Sequence, residues 1–192
     1  MSKDYGWFSP VKGTYPGLAQ IDKTARVALN DVENVVRGTV LVLGSDEAGA
    51  TFAIANASSD PALCFFALQD GKDTQAELAG SVWYDSDKYP KTAAEDPLIS
   101  KKVRPAKKGP AITGIAVNNP GEYETSEIKA DDDFAIGATV YLGADGLLAA
   151  SGSKAIGVVT EAKHSRWCND APAGGNGNRQ GAKVDVIRFK VA

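Results

Sequence analysis

The side chains best suited to chemistry in this chain are few and scattered. His164 is the one histidine, and a nucleophile–base–acid constellation would need a reactive partner and an orienting carboxylate beside it. Ser165 is its neighbour in sequence, but adjacent residues rarely face each other productively, so His164 reads as an exposed loop residue without a partner. Asp131-Asp132-Asp133 offers carboxylates for a hard cation, yet it lacks the spaced oxygens and terminal Glu of a calcium loop and reads as a cap or solubiliser of a turn. The glycine-rich stretch 173–181 is followed by no strand-to-helix switch, which argues against a phosphate cradle. Cys64 lies in the apolar run ALCFFAL as a small core residue, and Cys168 follows Trp167 at a loop edge. Sequence leaves a disulfide between them open, although cytosolic synthesis argues against it, and two distant cysteines with one histidine make a poor metal site.

Lys101, Lys102, Arg104, Lys107 and Lys108 form the one basic cluster. Without interleaved aromatic residues it is no base-stacking platform, and it reads as a solvated loop or a patch that meets an acidic protein surface. A net charge of −3 gives no general attraction to nucleic acid or to an anionic membrane. No apolar run approaches the roughly 20 residues that span a bilayer. The opening MSKDYGWFSP has no apolar signal region, so synthesis and retention in the cytoplasm are expected.

The elements that would position these groups are strands. The 192 residues are 43% apolar with 20 glycines and nine prolines, a balance that suits a loop-rich β protein. Strands are expected at 35–43, 50–57, 63–68, 112–117, 123–128, 139–142, 147–150, 156–160 and 183–189, with Asp145-Gly146 as a tight hairpin turn and Gly157 as a bulge or close approach. A short helix is expected over 73–80 and a strand over 81–84. The stretches 85–110 and 164–181 read as long loops. RGTVLVLG (37–44) echoes IGATVYLG (136–143), but two hairpins of similar pattern produce such an echo by chance, and no repeat is assigned. The expected fold is mostly β: a small antiparallel β-barrel or sandwich over 35–192, preceded by an extended N-terminal arm over 1–34. Trp7, Phe8, Tyr15, Leu18 and Ile21 in that arm lack a helical or strand period and are candidate contacts with a capsid or a neighbouring subunit, as is the basic cluster.

The succession GATVYL (137–142), DGLL (145–148), KAIGVVTEA (154–162) and VDVIRF (184–189) resembles the head decoration, or cement, proteins of tailed phages. The resemblance covers about the last third of the chain, is looser over 35–68, and departs from the simplest pattern in the long loops and the aromatic arm. It implies a non-enzymatic virion protein without a cofactor. Such a protein would bind the major capsid protein on the outside of an expanded capsid, as a homo-oligomer, with a trimer favoured. Two other classes stay open: another virion component such as a tail or minor head protein, and a β-sandwich carbohydrate-binding module with Trp83, Tyr84 and Trp167 as stacking residues.

Overall fold

The computed structural model describes residues 6–12, 22–28, 30–46, 49–71, 110–168 and 182–192. Within them lie β1 (Phe8–Lys12), β2 (Asp22–Val27), β3 (Val40–Asp46), β4 (Gly49–Ile54), β5 (Cys64–Ala67), β6 (Ala111–Ala116), β7 (Gly121–Thr125), β8 (Thr139–Leu142), β9 (Leu148–Ala149), β10 (Ala155–Cys168) and β11 (Ala182–Val191). Beside them stand two single 3-10 turns, Val32–Asn34 and Pro61–Leu63. The chain is mostly β, as its alternating apolar runs require. The expected helix over 73–80, the strand over 81–84 and nearly all of the loop over 85–110 lie outside the described residues.

Strands β2-β4-β3-β5-β6 close into a barrel. Its neighbours are antiparallel except at the seam, where β2 runs parallel to β4 through Arg26–Thr51 and Val27–Phe52. Closure leaves this sheet no long free edge. Leu41, Phe52, Phe65, Ala67, Ile112 and Ala116 fill the interior. The remaining strands form a six-stranded sheet in the order β1-β7-β11-β10-β8-β9. An isolated parallel bridge joins Ile128 to Leu148, and the Lys129 amide donates to the Leu148 carbonyl at 2.8 Å. The chain beyond β7 thereby reaches β9, which curls the second sheet toward the same closure.

The two sheets are copies of one design. Each is built as a strand, a turn with a left-handed glycine, a hairpin and two further strands: β2 to β6 in the first, β7 to β11 in the second. Gly38 and Gly137 have φ of +94° and +84°, conformations that side chains other than glycine adopt at a cost. The Gly38 amide donates to the Ala67 carbonyl, and the Ala67 amide returns to Thr39; Gly137 and Ala138 make the same exchange with Val159. Asp31 accepts from the Ile54 amide at 3.0 Å, and Asp132 accepts from the Ala150 amide at 2.7 Å, each pinning the end of the hairpin strand. The echo between 37–44 and 136–143, set aside as chance in the sequence, is therefore part of an internal structural repeat. Asp132 also shows what the aspartate run does: it caps a turn and pairs with Lys129 at 3.3 Å.

The repeats pack unlike surfaces together. The outer face of the first barrel, with Val40, Cys64, Phe66 and Ile115, joins one continuous core with Phe8, Tyr123, Leu148 and Phe189 of the second sheet. Phe66 sits 5.0 Å from Phe8, 6.0 Å from Tyr123 and 5.7 Å from Phe189, centroid to centroid. The Asp145-Gly146 tip of the β8–β9 hairpin turns with φ of +56° and +70°, the positive pair that a tight hairpin demands. It then reaches across to the first barrel. The Gly146 amide donates to Ala55, and the Val40 amide donates to Gly146, both at 2.8 Å. A β-carbon at Gly146 would lie 2.6 Å from Thr39 Cγ2 and 2.8 Å from the Val40 carbonyl. Gly146→Ala is accordingly expected to cost about 2 kcal/mol or more, from the left-handed backbone together with this clash, read as a fall in the urea midpoint.

Two expectations need correction here. Over its described residues, the stretch 1–34 does not stand apart from the domain: β1 is an outer strand of the six-stranded sheet and β2 a stave of the barrel. The apolar residues there need a strand period only over short spans, and β1 is a single five-residue strand. Pro10 fits it because an edge strand has ladder positions at which a missing amide costs nothing. The loop expected from His164 onward also begins later, because β10 runs to Cys168 and pairs with β11 as far as Ala182. Register shifts near Glu161 bend β10 and hide its alternation from a period-two reading. The bulge expected at Gly157 is present as a register shift between Ala155 and Gly157 against β8.

Candidate functional site

The densest polar cluster lies on the face of β7, β11 and β10 that points away from the shared core. Register brings it about. Arg188 of β11 stands between Glu124 of β7 and Glu161 of β10, while Thr125 and Ile187, one step along, turn into the core. Glu124 is the hub, with its side chain only 2% exposed. It accepts hydrogen bonds from the Trp7 indole at 2.9 Å, from Arg166 Nε at 2.9 Å and Nη2 at 3.0 Å, and from Arg188 Nη2 at 3.1 Å. Arg188 Nη1 reaches Glu161 at 2.8 Å. His164 places Nε2 3.3 Å from Glu124, with Nδ1 3.0 Å from the Ala162 carbonyl.

Burial alone would raise the Glu124 carboxyl. The hydrogen bonds from Arg166 and Arg188, the charge of Arg166 and the Trp7 indole outweigh it and hold the group below the usual carboxylate range. Arg166 is correspondingly raised, first by its hydrogen bonds to Glu124 and then by that charge. An ionised carboxylate with four donors on its two oxygens has no proton to give and little lone-pair capacity left to offer. The arrangement is a clasp. It ties β7 to β10 and β11 and fastens the residue just ahead of β1 to all three. The sequence reading of His164 as a loop residue without a partner is thus corrected: it is half-buried in β10 and faces Glu124 and Glu161.

The sequence-predicted contact residues fare differently from one another. Phe8 is 7% exposed in the chain's own core, so its expected role as a partner contact is corrected. Trp7 is half-buried and held by Glu124. Tyr15, Leu18, Ile21, Lys101, Lys102, Arg104, Lys107 and Lys108 lie outside the described residues, as do Trp83 and Tyr84. Trp167 is 60% exposed near the end of β10, with the Lys183 ammonium 5.6 Å over its ring. A glycan-stacking face needs several coplanar exposed aromatics, and among the described residues Trp167 is the one exposed aromatic side chain.

Sequence reasoning missed Glu124, Arg166, Arg188 and Glu161. A signal was present: glutamates alternate with Tyr123 and Thr125 in GEYET, and Arg188 alternates with Ile187 and Phe189 in the closing run, so opposite charges share one face once those strands pair. Among the described residues no group of three or more His, Cys, Asp or Glu is placed to hold a metal ion. Cys64 is a free, buried thiol, pushed up to about 11 by burial and then by the nearby charge of Asp60. It is expected to resist alkylation in the native protein at neutral pH and to react once urea unfolds the chain, as counted by mass spectrometry. Among the described residues no helix is long and apolar enough to cross a membrane. Comparison of the chain with protein-family models, with curated proteins and with solved structures finds no match.

Proposed function

We propose that this chain is a capsid decoration protein: a structural component that binds the major capsid protein on the outer surface of a phage head, as a homo-oligomer, and reinforces the shell. The observation that carries the reading is local. The four segments that bear the resemblance, residues 137–142, 145–148, 154–162 and 184–189, form β8 to β11 of one sheet and not scattered pieces of several. The architecture suits the task. Two β units share one core, and a hairpin of one is hydrogen-bonded into the other, so the chain behaves as a strut that transmits load without hinging. Reinforcement follows from mass action, since a protein that binds the assembled lattice and not its free subunits shifts the equilibrium toward the shell. No cofactor enters this role.

The test is co-sedimentation of the purified protein with emptied capsids of its parent particle, followed by heating of decorated and bare shells. Saturable binding and a raised shell melting temperature are expected. Failure to bind expanded capsids at any salt concentration would overturn the reading.

A further inference from the structure

We infer that Asp145 is a latent self-modification site, which closes with the Gly146 amide to a succinimide and reopens as an isoaspartyl linkage whenever the contact between the two repeats lets go. The sequence holds two aspartyl-glycine pairs, Asp70-Gly71 and Asp145-Gly146. Such pairs are the aspartates most open to this chemistry, because glycine has no side chain to shield its amide nitrogen. The first step is a condensation. The Gly146 nitrogen bonds to the side-chain carboxyl carbon of Asp145 and gives up its proton, and the carboxyl hydroxyl takes a proton and leaves as water. Water then reopens the ring at either carbonyl. One opening restores aspartate. The other leaves the main chain running through the side-chain carbons, one atom longer than before. Water is lost and regained, and no other reactant enters.

The structure shows both the opportunity and the guard. Asp145 is exposed at the hairpin tip, and among the described residues it is the one non-glycine residue at positive φ, a conformation that strains any residue with a β-carbon. Gly146 is buried, and its amide donates to the Ala55 carbonyl of the first barrel at 2.8 Å. A nitrogen held in this way cannot shed its proton and turn toward the Asp145 side chain until the tip lifts off the barrel. Asp70 is guarded separately, within the first repeat. The Gly71 amide donates to the Val35 carbonyl at 2.9 Å, and Asp70 Oδ1 accepts from the Arg37 amide at 2.5 Å. The two aspartates therefore register different openings: Asp70 that of its own turn, Asp145 the parting of the repeats. Isomerisation at Asp145 is also hard to undo. A β-carbon at Gly146 would already lie 2.6 Å from Thr39 Cγ2 and 2.8 Å from the Val40 carbonyl, so a tip longer by one backbone atom does not reseat. A chain that has reacted has lost the hairpin contact that joins its repeats.

This chemistry depends on the fold and not on the capsid reading, so the two fail separately. The experiment ages the full chain at one temperature below its melting point, in buffer and in urea, and counts isoaspartate residue by residue by peptide mass spectrometry. Ile54→Ala is aged beside it, because Ile54 Cγ2 packs over Gly146, 3.2 Å from where a β-carbon would stand. Circular dichroism checks that this variant is folded. Isoaspartate at Asp145 is expected to form at least about tenfold more slowly in the folded chain than in urea, in proportion to the time the tip spends open. In Ile54→Ala it is expected to form several-fold faster than in the folded wild type, with Asp70 unchanged. Should Ile54→Ala unfold, hydrogen exchange at the Gly146 amide of the wild type takes its place: on warming, exchange there and isomerisation at Asp145 are expected to rise together, ahead of isomerisation at Asp70. Equal rates at Asp145 in folded and unfolded chains would overturn the inference, as would a folded Ile54→Ala that ages like the wild type. Equal acceleration at Asp70 and Asp145 would assign the reaction to global unfolding and remove the repeat contact as its guard.

Discussion

Replacing Phe8 by alanine is expected to lower the unfolding free energy by about 3–4 kcal/mol, within the range for emptying an aromatic site in a packed core. The ring is 7% exposed, 5.0 Å from Phe66 and 5.7 Å from Tyr123, in the stack that joins the two repeats. Its loss leaves a cavity bounded by aromatic rings from both repeats, which cannot collapse without moving β1 and β5 toward each other. At roughly 2–4 °C per kcal/mol for a chain of this size, the melting temperature falls by about 10 °C. Deleting residues 1–12 is expected to cost more, because it also removes the Trp7 donor from Glu124 and bares the outer edge of β7. Urea unfolding followed by circular dichroism measures both variants. A midpoint within error of the wild type would mean that β1 contributes nothing to the fold, and would return the N-terminal aromatics to the role of a free latch.

How far the sequence could be read depended on where each strand's partner lay. Thr139–Leu142 was legible to the residue because β-branched and aromatic side chains meet a strong Asp-Gly turn within a few positions, and the hairpin closes locally. The run at 63–68 was legible from its unbroken apolar character, since both of its faces are covered, one by the barrel interior and one by the second repeat. The run expected at 35–43 begins late, at Val40, because Gly38 turns the chain first and Val35 and Val36 are buried from the turn itself. The repeat was nearly invisible for a physical reason. A barrel interior asks only for apolar volume, so Phe52 and Leu148, or Ala67 and Val159, serve at equivalent places without resembling each other, and only the glycine turn and the capping aspartate are held by geometry. The Glu124 cluster was hidden because it assembles from strands far apart in sequence. Its charges look like ordinary solvent-facing residues until register sets Arg188 between two glutamates.

That register gives the second large expectation. Glu124→Gln is expected to destabilise the fold by roughly 2 kcal/mol at neutral pH, below the 3–5 kcal/mol typical of breaking a fully buried pair. The discount follows from exposure: the Arg166 side chain is 44% exposed and can turn to water, whereas Arg188, at 23%, keeps Glu161 as a partner. The amide cannot replace the carboxylate, because its nitrogen presents donors to guanidinium donors. The sign of the pH dependence follows from the lowered folded-state carboxyl. A group held more acidic in the folded chain than in the unfolded one adds stability at neutral pH. That contribution is present above the ordinary glutamate value of about 4.3 and drains away as the pH falls through the lower folded-state value. The gap in urea midpoint between wild type and Glu124→Gln is therefore expected to be widest near neutrality and to shrink on acidification, with the variant the less acid-sensitive of the two. Unfolding curves across that range, with Trp7 fluorescence as a local reporter in a variant that lacks the other tryptophans, measure it. A gap that stays constant with pH would show that Glu124 supports the sheet by shape and hydrogen bonding alone, and would remove the charged clasp from the account of how β1 is held.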